Sequence, residues 1–299
     1  MVFPVSFNRD LLRRRRVSVV AAALILLLAL VETVNAVVAP SRAPSEKDWV
    51  AAAAKVRAGF RLGDLIVAAP AWADPLMRAQ LGDLVPVEVA GRMDAARYAR
   101  IWEISQRGAR ATDTTGATAA ESSRYGALTV KRWEKQPAKM TYDFVAKWRK
   151  ASVSIVNADG TEVPCTMAAN RWQCMGGAWV GPELLEIDTT LRNGLGIEPI
   201  EGKTLVLEFS DVESASELVV GTGLHNVWLR KSGEGKVRTR VLADDHEMNT
   251  IETTSSSGWS LHRFGTSAAA GKSTKWRFEI TVDNAHARHL GFAAEARNP

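Results

Sequence analysis

Arg13, Arg14, Arg15 and Arg16 stand directly before an apolar run from Val17 to Val31. A cluster of cations against a hydrophobic segment reads as a membrane-targeting signal. Its basic end stays in the cytoplasm and the chain downstream is exported. Two forms of the signal stay open. A signal anchor needs about 20 apolar residues to cross the hydrocarbon core. Residues 17–39 supply that length, with Glu32 and Asn35 toward the outer end, where a carboxylate costs far less than at the bilayer centre. A cleaved signal peptide needs an apolar stretch of roughly 7–15 residues and small residues at the cut, and Val34-Asn35-Ala36 provides them. The anchor predicts a single-pass protein of a bacterial inner membrane, with a cytoplasmic N-terminus and a periplasmic remainder. The cleaved peptide predicts secretion after a cut near Ala36.

The net charge of +5 invites a nucleic-acid reading, which its distribution removes. Arg9 and Arg13 to Arg16 against Asp10 account for four of the five charges, leaving 33 basic and 32 acidic residues elsewhere. No basic footprint for a phosphate backbone remains. The two cysteines, Cys165 and Cys174, lie in the exported part, where an oxidising compartment lets such a pair close. The intervening Thr166–Gln173 segment suits a hairpin whose ends face each other. Zinc sites use closer spacings and further Cys or His ligands, so a disulfide is the favoured reading.

After a basic tail and anchor over residues 1–39, Pro40 to Ser45 reads as a short extended linker. Residues 46–137 then alternate helical and strand patterns. Glu46 to Arg57 is Ala-rich behind Ser45 as an N-cap, and Leu65 to Ala69 is an apolar run stopped by Pro70. Asp74-Pro75 opens a helix that Gly82 ends. Val85 to Ala90 is expected as a strand, Met93 to Arg100 as a helix, and Thr112 to Ser123 as an exposed polar loop or an irregular helix start. Such alternation predicts a small Rossmann-like α/β domain with a largely parallel sheet. Residues 138–299 instead carry short β-branched and aromatic runs between Asp-Gly, Gly-Glu-Gly and Ser-Gly turns. They predict an all-β sandwich, a jelly roll. The expected fold class is α/β plus all-β behind an N-terminal membrane helix.

Several short stretches carry a resemblance. Asp48-Trp49, Gly63 to Val67, Pro70-Ala71-Trp72, Arg100 to Ile104 and Leu128 to Trp133 resemble the soluble periplasmic region of family-39-type, lipid-phosphate-sugar-dependent glycosyltransferases. Trp276 to Ile280 and His289 to Ala294 are similar to galactose-binding-like jelly rolls. The transferases' catalytic acids sit in loops of a multi-helix membrane part, and this chain has one possible span. The resemblance therefore implies association with envelope glycans, or with a glycosyltransferase as partner, without glycosyl transfer.

Candidate sites are few. Gly265 to Gly271 followed by Lys272-Ser273 has five residues between its glycines, where a phosphate loop needs four. Asp244, Asp245 and Glu247 concentrate carboxylates around His246, weak candidates for a structural calcium; their spacing lacks an EF-hand pattern and favours a solvated turn. His286 and His289 are expected in a surface turn. Tryptophan offers a flat apolar face with one donor, suited to the face of a sugar ring. Trp179, Trp228 and Trp259 lie near turns or strand ends, and Trp228 closes a Gly-rich run holding His225 and Asn226. These five residues form the candidate ligand-binding set. No cofactor, no metal and no catalytic residue is assigned. The expected function is a non-catalytic binding or accessory module of the cell envelope. The alternative is a periplasmic glycan hydrolase using acids of the β domain.

Overall fold

The computed structural model describes residues 9–38, 43–225, 236–283 and 289–299. Helix α1 (Arg9–Val38) precedes a first unit of three further helices, α2 (Glu46–Gly59), α3 (Asp74–Leu81) and α4 (Val87–Ala90). Its strands are β1 (Leu65–Ala69), β2 (Arg100–Gln106), β3 (Thr118–Tyr125) and β4 (Leu128–Glu134). The β-rich part follows with β5 (Lys139–Asp143), β6 (Ser152–Val156), β7 (Glu162–Pro164), β8 (Thr166–Ala168) and β9 (Arg171–Gln173). It continues through β10 (Trp179–Ile187), β11 (Thr190–Glu198), β12 (Thr204–Glu213), β13 (Glu217–Leu224) and β14 (Val237–Ala243). It ends with β15 (His246–Thr253), β16 (Ser260–Gly265), β17 (Ser273–Val282) and β18 (Leu290–Asn298). Among the described residues strand far outweighs helix.

The first unit corrects the Rossmann-like expectation. Its sheet runs β1-β2-β4-β3, and only β1 and β2 are parallel. The connection through α3 makes one β-α-β step. The chain then returns as antiparallel β3 and β4, which a tight turn at Gly126 joins without a helical crossover. Strand β3 begins inside the expected Thr112–Ser123 loop and runs past its end. It is an edge strand with no buried residue, so burial never selected the apolar pattern that announces a strand. Val85–Ala90 forms the turn α4 in place of a strand, behind Pro86 at its N-cap. Met93–Arg100 is irregular up to β2 in place of a helix, because the Asp94 carboxylate accepts from the Ala96 amide and competes with helical bonding. The helices expected from Glu46 and from Asp74 are both present. Ser45 and Asp48 close a capping box on α2, whose Trp49, Ala52, Ala53 and Val56 pack on Ile66, Trp102 and Val130.

The membrane helix expected over residues 17–39 is also corrected. Among the described residues no helix is long and apolar enough to cross a membrane. Helix α1 starts at Arg9, ahead of the arginine cluster, and runs through it. Its apolar stretch carries the Glu32 carboxylate.

The expected β-sandwich is present. Among the described residues one sheet runs β16-β13-β18-β11-β10-β9-β8, with β5 pairing the C-terminal half of β18 beyond its β11 contacts. The other runs β15-β14-β17-β12-β6-β7. Between them, Phe144, Phe209, Phe278 and Phe292 meet edge to face at centroid distances of 4.9, 5.5 and 5.0 Å along the series 209–144–278–292. Each such pair contributes about 0.5–1.5 kcal/mol beyond burial. Cys165 and Cys174 form the disulfide across the β8–β9 hairpin, their Cα atoms 4.4 Å apart.

Candidate binding cleft between the two units

The first wall of the cleft comes from the end of β1. This strand is buried throughout and stops at Pro70, which has no amide to extend the ladder. The chain turns over Ala71–Ala73 and enters α3 with Pro75 in its first turn. Two proline-marked stops so close together leave Trp72 on the surface, 64% exposed. One turn into α3, Arg78 pairs with Asp74 at 2.5 Å.

The opposite wall comes from the sandwich. Asp188 and Thr189 both take positive φ, 51° and 60°, the geometry of a two-residue β-hairpin turn. The turn delivers Thr190, Leu191 and Arg192 to the first unit. Arg192 Nη1 donates to the carbonyls of Arg92 at 2.9 Å and Met93 at 3.4 Å, and its guanidinium lies 5.4 Å from the centre of the Trp259 ring. Trp259 Nε1 donates to the Met93 carbonyl at 3.1 Å. The indole rests on Gly221, where a Cβ would sit 3.0 Å from Trp259 Cε2.

Between these walls lies a cleft of about 850 Å³. Trp72, Arg92, Lys135, Arg192, Trp259 and Arg263 are among the residues that line it. Three of its cations are neutralised: Arg78 by Asp74, Arg92 by Asp113 at 2.7 Å, and Arg263 by Glu217 at 3.0 Å. Arg192 and Lys135 have no ion pair with a described carboxylate. Burial, then the neighbouring Arg92 charge, pulls the Arg192 guanidinium down to about 10. Burial likewise lowers Lys135 against the pull of Asp94 and Asp113.

An ionic cluster behind the cleft holds the two units together. Arg297 is 1% exposed and donates to both Asp94 oxygens, at 3.1 and 2.9 Å. It also reaches Glu217 at 2.9 Å and Glu295 at 3.3 Å, while Arg97 pairs with Glu295. Burial opposes ionisation of Asp94, but the Arg297 bonds, the Ala96 amide and the charges of Arg297 and Arg263 outweigh it and lower its pKa.

The structure divides the candidate residues. Trp259 lines the cleft, but half-buried against Gly221 and not as an open platform. Trp179 and His225 meet elsewhere on the same sheet, around His289. The Trp179 ring is 5.1 Å from His289 and the His225 ring 5.6 Å. Asn226 and Trp228, like His286, lie outside the described residues. His289 corrects its surface reading: it is 7% exposed, with Nε2 2.7 Å from Glu183 and Nδ1 3.2 Å from Glu198. Burial disfavours the imidazolium, yet the two carboxylate bonds prevail and raise its pKa to about 9. His225 moves the other way, lowered by burial and by the His289 charge.

Asp244, Asp245 and Glu247 sit at an exposed β14–β15 turn, the first two at positive φ. Asp244 accepts the Lys275 amide, Asp245 pairs with Lys275 at 2.8 Å and Glu247 with Arg240 at 2.9 Å. Among the described residues no group of His, Cys, Asp and Glu could hold a metal ion, so the calcium candidate gains no support. Sequence reasoning missed Trp72, Lys135 and Arg192 as site residues. The Pro-Ala-Trp step after a buried strand was the available signal for the first. Nothing local marked the other two.

No family model matches the chain, and no curated protein matches it, so the resemblance to family-39-type glycosyltransferases finds no support. Similar solved structures include CBM51-2 with GlcNAc and INT domains from Clostridium perfringens ZmpB, at 12% identity and a TM-score of 0.32, covering 62% of this chain and 41% of that one. CBM51 from Clostridium perfringens GH95 in complex with methyl-galactose gives 11% identity and a TM-score of 0.26, covering 48% and 79%. The mannan-recognising carbohydrate-binding module TmCBM27 gives 9% and 0.32, covering 55% and 99%. The matched region thus spans under half of the first structure. Scores this low establish no shared fold, and the sugars belong to those proteins.

Proposed function

We propose that the chain is a non-catalytic saccharide-binding module working outside the cytoplasm, with the interdomain cleft as its site. One observation carries the reading. An exposed indole, Trp72, stands at a cleft of about 850 Å³ whose walls hold a second tryptophan and fixed guanidinium and carboxylate groups. Large aromatic faces left in water at a concave surface mark ligand sites. A ring face beside planar polar groups suits a sugar, whose C–H face stacks while its hydroxyls take hydrogen bonds. The Cys165–Cys174 disulfide fits an oxidising compartment. The hydrolase alternative relied on Asp244 and Glu247, and both are engaged at an exposed turn away from the cleft.

Calorimetric titration of the full chain with a panel of oligosaccharides tests the reading. Binding is expected for at least one class, weakened roughly tenfold by Trp72→Ala. No heat from any saccharide would overturn it, as would binding indifferent to Trp72.

A further inference from the structure

We infer that the saccharide held in the cleft carries an oxyanion substituent, a carboxylate or a sulfate ester, seated between Arg192 and Lys135. The inference rests on the saccharide reading and adds the charge of the ligand. Its ground is the uneven neutralisation of the cleft. Arg78, Arg92 and Arg263 each have a carboxylate within 3.0 Å. Arg192 and Lys135 line the same space with none among the described residues.

A purely structural role accounts for only part of Arg192. Its Nη1 clamps the two carbonyls of the first unit. The buried Nε has no hydrogen-bond partner, and Nη2 makes no bond to a described residue. Removing a cation from water without a directly paired carboxylate is costly, and Arg192 and Lys135, both half-buried, line the same cavity. A planar guanidinium with an unused edge favours carboxylate and sulfate oxygens, since charge-assisted bonds are about twice as strong as neutral ones. The lining supports one such group more readily than a polyanion, because Asp74, Asp94 and Asp113 also face the space.

The test compares three probes on the full chain by calorimetry: a neutral oligosaccharide ending in a single uronate, its methyl ester of equal length, and the same oligosaccharide bearing one sulfate ester. At least one charged probe is expected to bind tenfold or more tighter than the ester, with affinity falling as salt is raised. Arg192→Gln and Lys135→Gln should each erase most of that preference. Preference for the uronate over the sulfated probe identifies a carboxylate, and the reverse a sulfate ester. Equal binding of charged and esterified probes, unchanged by either substitution, would overturn the oxyanion and leave the saccharide reading standing. Silence from these probes and from the neutral panel would remove both. Should Arg192→Gln loosen the clamp, seen as a lowered Tm, Lys135→Gln decides alone, for the Lys135 side chain makes no hydrogen bond or ion pair with a described residue of the sandwich.

Discussion

Arg297 and Asp94 form a two-point ion pair between residues 203 positions apart in the chain. One belongs to the last strand of the sandwich and the other to the loop that walls the cleft. Both are shielded, and Glu217 and Glu295 complete the acceptor set. The relative position of the two units, and so the shape of the cleft, is tied to this pair.

Replacing Arg297 by Met removes the cation shared by Asp94, Glu217 and Glu295 and leaves Asp94 without its two-point partner, while Arg263 and Arg97 still pair with the two glutamates. A loss of about 3–5 kcal/mol is expected, the range for breaking a buried pair on one side. Urea unfolding measures it. A loss under about 1 kcal/mol would show that the cluster contributes little to the interface.

Cys165→Ser opens a short loop in the β8–β9 hairpin. In the chain-entropy description the cost is somewhat under ~3 kcal/mol. Melting with and without reductant reports it directly, and an unchanged Tm under reductant would contradict the assignment.

His289 should make stability depend on pH. Its folded pKa of about 9 lies above the ordinary 6.5, so the charged trio contributes fully below pH 6.5 and is lost as pH rises through 9. The shift corresponds to about 3 kcal/mol. Denaturant midpoints from pH 6 to 10 should fall for the native chain. His289→Phe, which does not titrate, should flatten that decline. A parallel decline in both proteins would assign it to other groups.

Gly221→Ala acts on the cleft from behind. The new methyl meets the Trp259 ring and pushes it off its seat, costing about 1–3 kcal/mol as an overpacking change. Because Trp259 bonds to the Met93 carbonyl, saccharide affinity should weaken along with stability. Loss of stability with affinity intact would separate this tryptophan from the binding site.

The sandwich and the hairpin disulfide were legible because their signals are local. Period-two alternation, turn residues and cysteine spacing each involve neighbours in the chain. Helices α2 and α3 carried caps and proline positions that read the same way. The errors share a cause as well. Strand β3 is exposed along its length and pairs only with β4, so burial placed no pattern in it. Met93–Arg100 had helical spacing, but a side-chain bond from Asp94 and contacts with the sandwich decided its path.

The candidate site shows the same division more sharply. Trp259 and the pair Trp179–His225 were found as residue types suited to a ligand, yet they occupy two different places on one sheet. Local chemistry along the chain established which segments become strands, where the hairpin closes and that the basic charge gathers at the N-terminus. Folding alone determined that Trp72, Lys135 and Arg192 share a cleft, that Asp94 finds Arg297, and that His289 is buried between two glutamates. Those pairings depend on strand order and on the docking of two units. Both are set by long-range packing, which leaves no periodic trace around the residues it brings together.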